Sequence, residues 1–172
     1  MRKTTVAVIK WVVYFVLLFF LFIFQTSFDL IAIFDIRPVL IVPFIIAISM
    51  QEREIFAVIF GIVAGFMWDF SADKISGFNA AILMICCVGV TLVTMYYMGN
   101  NFLNSMLFCG VVMIVQGLLD YLFSYLIWGY ADSYLILIRY ILPTALYTVV
   151  VTPLFYFLLR WLHRKFEALI EK

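Results

Sequence analysis

The feature that most constrains this chain is a series of long apolar runs that carry almost no charge. The first of them, VVYFVLLFFLFIF from Val12 to Phe24, contains neither a charged nor a small residue. Over all 172 residues, 67% are hydrophobic and 12% are charged, whereas soluble domains average about half apolar and about a quarter charged. No polar or Pro/Gly/Ser-rich linker divides the chain. We therefore expect one all-α integral membrane domain over residues 1–172.

The lengths of the apolar runs predict how many helices cross the membrane. A helix needs about 20 residues to cross a hydrocarbon core of roughly 30 Å. On that scale we predict a compact bundle of six spans. They lie at 9–28, 31–50, 55–70, 78–98, 102–128 and 135–162. The second is the least regular, because its clean apolar run covers only Val39–Met50 and contains Pro43.

The positions of the basic residues predict the orientation of the bundle. Lys and Arg are enriched on the cytoplasmic side of membrane proteins. An even number of spans places both basic ends of the chain on that side together with Arg53, and leaves only Arg37 and Lys74 in the outer loops. The basic residues of the two ends are Arg2, Lys3, Lys10, Arg160, Arg164, Lys165 and Lys172. We therefore predict cytoplasmic N- and C-termini.

Residues that could carry enzyme chemistry are sparse. The only histidine, His163, stands in the basic segment RWLHRKF, where a residue at the level of the lipid headgroups is expected rather than a catalyst. The cysteines lie in apolar runs without metal-ligand spacing and are expected to pack as small hydrophobes. They are Cys86, Cys87 and Cys109. A net charge of +1 argues against nucleic-acid binding. We expect a protein without enzymatic activity, metal or cofactor.

Two ionisable residues fall inside predicted spans. They are Asp120 in VQGLLDYLF and Arg139 in ILIRYILP. Because a charge in hydrocarbon is costly, such residues usually pair with each other, reach the surface or conduct protons. We favour a structural role, either an ion pair between the two residues or extension of Arg139 to the outer surface. A polar face of the fifth span that includes Gln116 and Gly117 would support close helix packing.

The stretch GIVAGFMWDFSADKISG combines small residues with a polar helix end. Gly61, Gly65 and Asp69 are spaced by four residues, and this spacing places them on one face of a helix. Small residues at that spacing allow close approach of a neighbouring helix, which can belong to the same chain or to a partner. Asp69 or Asp73 is expected to cap the backbone at the start of the fourth span, just after Gly77.

The extended pattern GIVAGFMWDFSADKISGFNAA resembles the signature of the MreD family of rod shape-determining membrane proteins. IRPVLIVPFIIAISM is similar to the family's Arg-Pro entry to the second span, carried here by Arg37 and Pro38. GLLDYLF resembles the segment around the family's acidic residue in the fifth span, here Asp120. The closing LPTALYTVVVTPLFYFLLRWLHRKF resembles the last span and basic tail.

The resemblance implies a non-enzymatic, multi-pass subunit of the bacterial cell-elongation machinery in the cytoplasmic membrane. Such a subunit would bind an MreC-like single-span protein and link MreB filaments to peptidoglycan synthases, and it could form homo-oligomers. The candidate residues for helix packing or partner docking are Gly61, Gly65, Asp69, Gly77, Arg37, Pro38, Gly117 and Asp120.

An alternative is a substrate-binding subunit of an energy-coupling-factor vitamin transporter, which is similar in size and span count. Such subunits generally carry alanines at four-residue spacing in the first span. The run from Trp11 to Phe24 has no small residue, and this departure favours the first hypothesis.

Overall fold

The computed structural model describes residues 2–27, 38–72, 77–123 and 141–171. Within these ranges the chain forms helices joined by short connections and contains no strand. The helices are α1 (Arg2–Ser27), α2 (Ile41–Ser49), α3 (Glu54–Ala72), α4 (Phe78–Tyr96), α5 (Phe102–Tyr121) and α6 (Leu142–Glu171). The prediction of an all-α membrane protein is confirmed for this part of the chain.

Five of these helices, all except α2, are long and apolar enough to cross a membrane. The described part of the predicted second span, 31–50, contains α2, which has only nine residues and is by itself too short to cross a membrane. Pro43 explains where α2 begins, since proline lacks a backbone N–H and is best tolerated in the first turn of a helix. Residues 31–37 lie outside the described residues.

The last span also differs from its prediction. The helix runs on to Glu171 rather than ending at 162, while residues 135–140 lie outside the described part of the chain. Two prolines lie in α6, Pro143 and Pro153. Pro143 is the second residue of the helix, where its missing N–H breaks no helical hydrogen bond. Pro153 is the proline inside the helix.

The short helix α2 forms the centre of the bundle. All nine of its residues are buried, and it contacts each of the other five helices. Because lipid tails are as apolar as these side chains, close packing rather than exclusion of water holds such a helix in place. The residues of α2 that are at most 1% exposed, apart from alanine and serine, are Ile41, Val42, Phe44, Ile45, Ile46 and Ile48.

The contacts at the helix ends fix the course of the chain. Lys10 of α1 lies 3.3 Å from Glu167 of α6, so the beginning of α1 and the end of α6 share one end of the bundle, called here the first end. The backbone N–H of Ile41 donates to Gln25 Oε1, which places the start of α2 at the opposite, second end. The chain thus returns to the first end after α2, α4 and α6. The beginning of α1 and the end of α6 thus lie at the same end of the bundle, as predicted, while the cytoplasmic identity of this end stays a prediction.

Candidate functional site

At the second end, Asp69 of α3 holds the start of α4. Asp69 is only 3% exposed. Oδ2 accepts a hydrogen bond from Gly77 N at 2.7 Å and Oδ1 accepts one from Asn79 N at 3.1 Å. The first N–H groups of a helix have no partner within the helix, so a carboxylate at this place satisfies them and interacts favourably with the helix dipole. The predicted capping role of Asp69 is observed, and Asp73 lies outside the described residues.

Gly77 occupies the N-cap position of α4 with a backbone that other residues rarely adopt. Its φ is +98° and its ψ is −10°, in the left-handed region where a Cβ is unfavourable. The residue has no side chain that could cap α4, and Asp69 supplies the missing acceptor from α3. The turn and the cap therefore depend on each other.

The glycines of α3 face α4 of the same chain. A Cβ added to Gly65 would fall closer than 3.0 Å to the backbone of Asn79 and Ala80. A Cβ on Gly61 would lie 3.2 Å from Leu83 O and from Met84 Cα. The glycine stripe predicted for helix packing or partner docking therefore lies in the seam between α3 and α4, where a partner helix would have to displace α4 to reach it.

A hydrogen bond between side chains extends this arrangement to α5. Gln116 Nε2 donates to Asn79 Oδ1 at 2.9 Å, and both residues are buried. Gln116 Oε1 has no hydrogen-bond partner among the described residues. Asp69, Asn79 and Gln116, called here the second-end network, thus connect α3, α4 and α5. The sequence indicated Gln116 as part of a polar face but did not indicate its partner Asn79.

The remaining residues of the candidate list lie around this network. Gly117 packs against Ile141, since a Cβ on Gly117 would lie 2.5 Å from Ile141 Cγ2. Asp120 lies one turn beyond Gln116 and is partly exposed. Its predicted ion-pair partner Arg139 lies outside the described residues, as does Arg37. Pro38 is buried just before α2.

The first end contains an ion cluster that the sequence did not predict. Glu52, between α2 and α3, lies 2.6 Å from Lys10 Nζ and 2.8 Å from His163 Nδ1, both measured to Oε1. Lys10 Nζ is also 3.3 Å from Glu167 Oε1. These four residues, Lys10, Glu52, His163 and Glu167, are called here the first-end cluster.

The first-end cluster adds to what the sequence indicated for two residues. Lys10 was counted among the basic residues of the N-terminal end, and its side chain there is only 5% exposed. His163 was expected as a surface residue among headgroups, but it bonds to a buried carboxylate. The physical reason is the low dielectric of the bundle, in which an ionised group without a partner is costly. The short charged segment QERE between two apolar runs, which contains Glu52, was the one signal in the sequence that such a partner was needed.

The surroundings of Glu52 lower the pKa of its carboxyl group below the ordinary value. Burial raises the pKa, but the hydrogen bonds from His163 and Lys10 and their positive charges outweigh burial. Tyr14 Oη adds a longer contact of 3.4 Å to the same oxygen. Glu52 is therefore held as a carboxylate between α1 and α6.

A cleft of about 490 Å³ lies between α5 and α6. Its walls are aliphatic side chains and one glycine. The lining residues are Gly110, Ile114, Leu118, Ile141, Leu142, Ala145, Leu146, Val149 and Val150. None of them carries a group that could act as an acid, a base or a nucleophile. In the part of the chain that the structure describes, no group of three His, Cys, Asp or Glu residues could hold a metal ion.

The family model of the rod shape-determining protein MreD matches residues 5–166 of the chain. The chain belongs to the MreD family. The match includes α2 to α5 in full and most of α1 and α6, and the resemblance seen in the sequence is confirmed. Searches of curated proteins and of solved structures each returned no match.

Membership in the MreD family brings together the membrane architecture and a biological role. MreD is a family of structural membrane proteins that determine rod shape, and the five long apolar helices make this chain an integral membrane protein. The segment that first resembled MreD, from Gly61 to Gly77, forms the glycine seam and the capped start of α4 in the structure.

Proposed function

We propose that this chain is a non-enzymatic scaffold of the rod-shape machinery in the bacterial cytoplasmic membrane. It would dock an MreC-like single-span partner and so link MreB filaments to peptidoglycan synthases. The observation that carries this proposal is the match to the MreD family over residues 5–166. The same match gives no support to the vitamin-transporter alternative.

The candidate residues would support docking indirectly in this proposal. Gly61 and Gly65 are covered by α4, and Asp69 is occupied by two backbone N–H groups. They would fix the relative positions of α3 and α4, while a partner helix would contact side chains that face the lipid. α1 offers such a surface, since only 17% of its membrane-spanning stretch is buried within the bundle. Lipid-facing side chains of α1 include Val12, Phe15, Val16, Phe19 and Phe20.

The test is co-purification combined with cell shape. The full chain would be tagged in its own bacterium, extracted in mild detergent and analysed by mass spectrometry for bound proteins and small molecules. We expect an MreC-like protein to co-purify and cells lacking the chain to lose their rod shape. Rod-shaped growth without the chain would refute the proposal, and a tightly bound vitamin would favour the transporter alternative.

A separate double variant tests whether the partner docks on the exposed face of α1. Phe15→Ala and Phe19→Ala together remove two large side chains that are each at least half exposed, and they leave the core unchanged. We expect the double variant to accumulate normally and to lose the MreC-like partner. Ile85→Ala and Met95→Ala on the exposed face of α4 are the matched control, and equal loss of the partner in both pairs would refute docking through α1.

A further inference from the structure

We propose that the first-end cluster is a proton-controlled latch that holds the end of α6 against α1 and against the connection between α2 and α3. This proposal concerns the cluster alone and does not depend on which partner the chain binds.

The geometry joins three separate parts of the chain at one carboxylate. Glu52 Oε1 lies 2.6 Å from Lys10 Nζ of α1 and 2.8 Å from His163 Nδ1 of α6. Lys10 then reaches Glu167, one turn beyond His163, at 3.3 Å. Any change at Glu52 or His163 therefore alters the attachment of α6 to both other segments.

The distances define where a proton must lie. A separation of 2.8 Å between His163 Nδ1 and a carboxylate oxygen requires a proton on Nδ1, because two acceptors at that distance would repel. Nδ1 is also 3.3 Å from Lys10 Nζ, which has no lone pair to offer when charged. His163 thus donates to Glu52, and its second nitrogen, Nε2, decides whether the ring is charged.

The charge count shows which state of His163 favours the closed latch. Lys10 contributes one positive charge, and Glu52 and Glu167 contribute two negative charges. With neutral His163 the cluster has an excess of one negative charge, and with protonated His163 it is balanced. Lys10 and Glu52 are only 5% and 7% exposed, so water screens this excess poorly. Protonated His163 therefore favours the closed latch, although Lys10 opposes it in part.

The other groups that face His163 and Glu52 come from the same elements. From α1, Tyr14 Oη lies 3.4 Å from Glu52 Oε1, and the Trp11 and Tyr14 rings lie 5.3 and 6.0 Å from Lys10 Nζ. Arg53 and Arg164, next to Glu52 and His163 in the sequence, are exposed. Histidine is the side chain whose charge ordinarily changes between pH 5 and 8, and in this proposal loss of the balancing charge on His163 opens the latch.

The predicted motion is local. α6 continues for eight residues beyond His163 to Glu171, or about 12 Å at 1.5 Å per residue. Loss of the positive charge on His163 loosens this extension, which carries Arg164 and Lys165. Protonation of Glu52 at acidic pH removes the negative charge that holds Lys10 and His163, and this loss also opens the latch.

The single histidine of the chain makes the test direct. The full chain, labelled with isotopes at histidine and purified without a histidine tag, would be studied in lipid nanodiscs between pH 5.5 and 8.5. NMR reports the charge of His163, and hydrogen exchange, corrected for its intrinsic dependence on pH, reports opening at residues 161–171. We expect exchange there to rise on the order of tenfold as His163 loses its charge, because the hydrogen bond from Nδ1 to Glu52 remains but its donor is then neutral, and such a bond is weaker than one between two charged groups. Exchange in α5 should stay constant.

Two variants separate the latch from a general loosening. His163→Gln removes the titration and should give exchange at residues 161–171 that no longer depends on pH. Glu167→Gln changes a residue whose side chain is 47% exposed, so folding should be kept. It balances the cluster when His163 is neutral and should therefore reduce the pH response. The exposed Arg164→Gln is the control that should keep the full response. The proposal would be overturned if exchange at residues 161–171 did not follow the charge of His163. It would also be overturned if Glu167→Gln kept the full dependence of exchange on pH.

Discussion

Gly65 of α3 lies so close to Ala80 of α4 that no side chain fits between their backbones. A Cβ on Gly65 would come closer than 3.0 Å to both Cα and N of Ala80. Backbone atoms of a helix cannot move aside as the tip of a flexible side chain can. The contact is therefore a fixed point between the two helices, just below the turn at Gly77.

Gly65→Leu should separate α3 from α4 and destabilise the protein strongly. Overpacking of a tight core typically costs about 1–3 kcal/mol, and the upper end is expected here because the obstacle is backbone. The matched control is Gly89→Leu in α4, since a Cβ on Gly89 meets nothing within 4 Å. The measurement is the midpoint of thermal unfolding in detergent, followed by size-exclusion chromatography. Equal midpoints for the two variants would contradict the packing account.

Asp69 should show a graded response to substitution. Asp69→Asn keeps one carbonyl oxygen and can serve only one of the two N–H groups that the carboxylate now accepts from. Asp69→Ala serves neither, and loss of a helix cap costs about 0.5–2 kcal/mol. We expect the unfolding midpoint to fall from wild type to Asn to Ala. The control is Ser71→Ala, at an exposed position of the same helix, which should change the unfolding midpoint little. Equal midpoints for Asp69→Asn and Asp69→Ala would argue against the double cap.

Gly77→Ala should destabilise the turn between α3 and α4 through the backbone alone. A Cβ at Gly77 meets nothing within 4 Å, so the penalty comes from its φ of +98°. Strained backbone positions of this kind cost about 1–3 kcal/mol. Gly99→Ala is the matched control, because a Cβ on Gly99 would make only an ordinary contact of 3.9 Å with Asn101 Nδ2 and Gly99 has no positive φ. The free energies of unfolding of the two variants should differ by that amount, and similar values would exclude a role for backbone strain.

The lowered pKa of Glu52 predicts how stability changes in acid. A carboxyl group with a lower pKa in the folded state contributes stability above its ordinary pKa, about 4.3, and this contribution is lost as the pH falls below that value. The unfolding midpoint of the wild type should therefore drop between pH 6 and pH 3. Glu52→Gln should be less stable near neutral pH and show a smaller drop.

The control for this prediction is Glu54→Gln, at an exposed position two residues away, which should keep the full drop. If Glu52→Gln loses as much stability in acid as the wild type, the acid sensitivity comes from other carboxyl groups.

Local patterns in the sequence predicted the second end of the bundle well, and distant pairings at the first end could not be predicted. Asp69 and Gly77 are eight residues apart, so helix spacing and a glycine before the next helix were enough to predict the cap. The glycine stripe predicted a close neighbour but did not say whether that neighbour was α4 or a partner. Lys10 and His163 are 153 residues apart, and no periodicity in a single chain indicates that they meet. Glu52, which lies next to both of them in the structure, was visible in the sequence only as part of a short polar segment.

The second span shows the same limit in a different way. Pro43 and a clean apolar run of only 12 residues, Val39–Met50, marked it as irregular. Length and hydropathy cannot distinguish a short span beside lipid from a short helix enclosed by protein. In the structure α2 is a short helix enclosed by protein, because all of its residues are buried by the other five helices.

This enclosure has a consequence for how the protein is synthesised and inserted into the membrane. With nine residues, α2 extends only about 13 Å and is far shorter than the roughly 20 residues that partition stably into a bilayer. It also precedes four of the five helices that surround it. Newly made α2 therefore has to wait at the translocon or at the membrane surface until α3, α4, α5 and α6 have been synthesised. Assembly of this bundle has to finish after insertion, with its centre among the last parts to reach its final place.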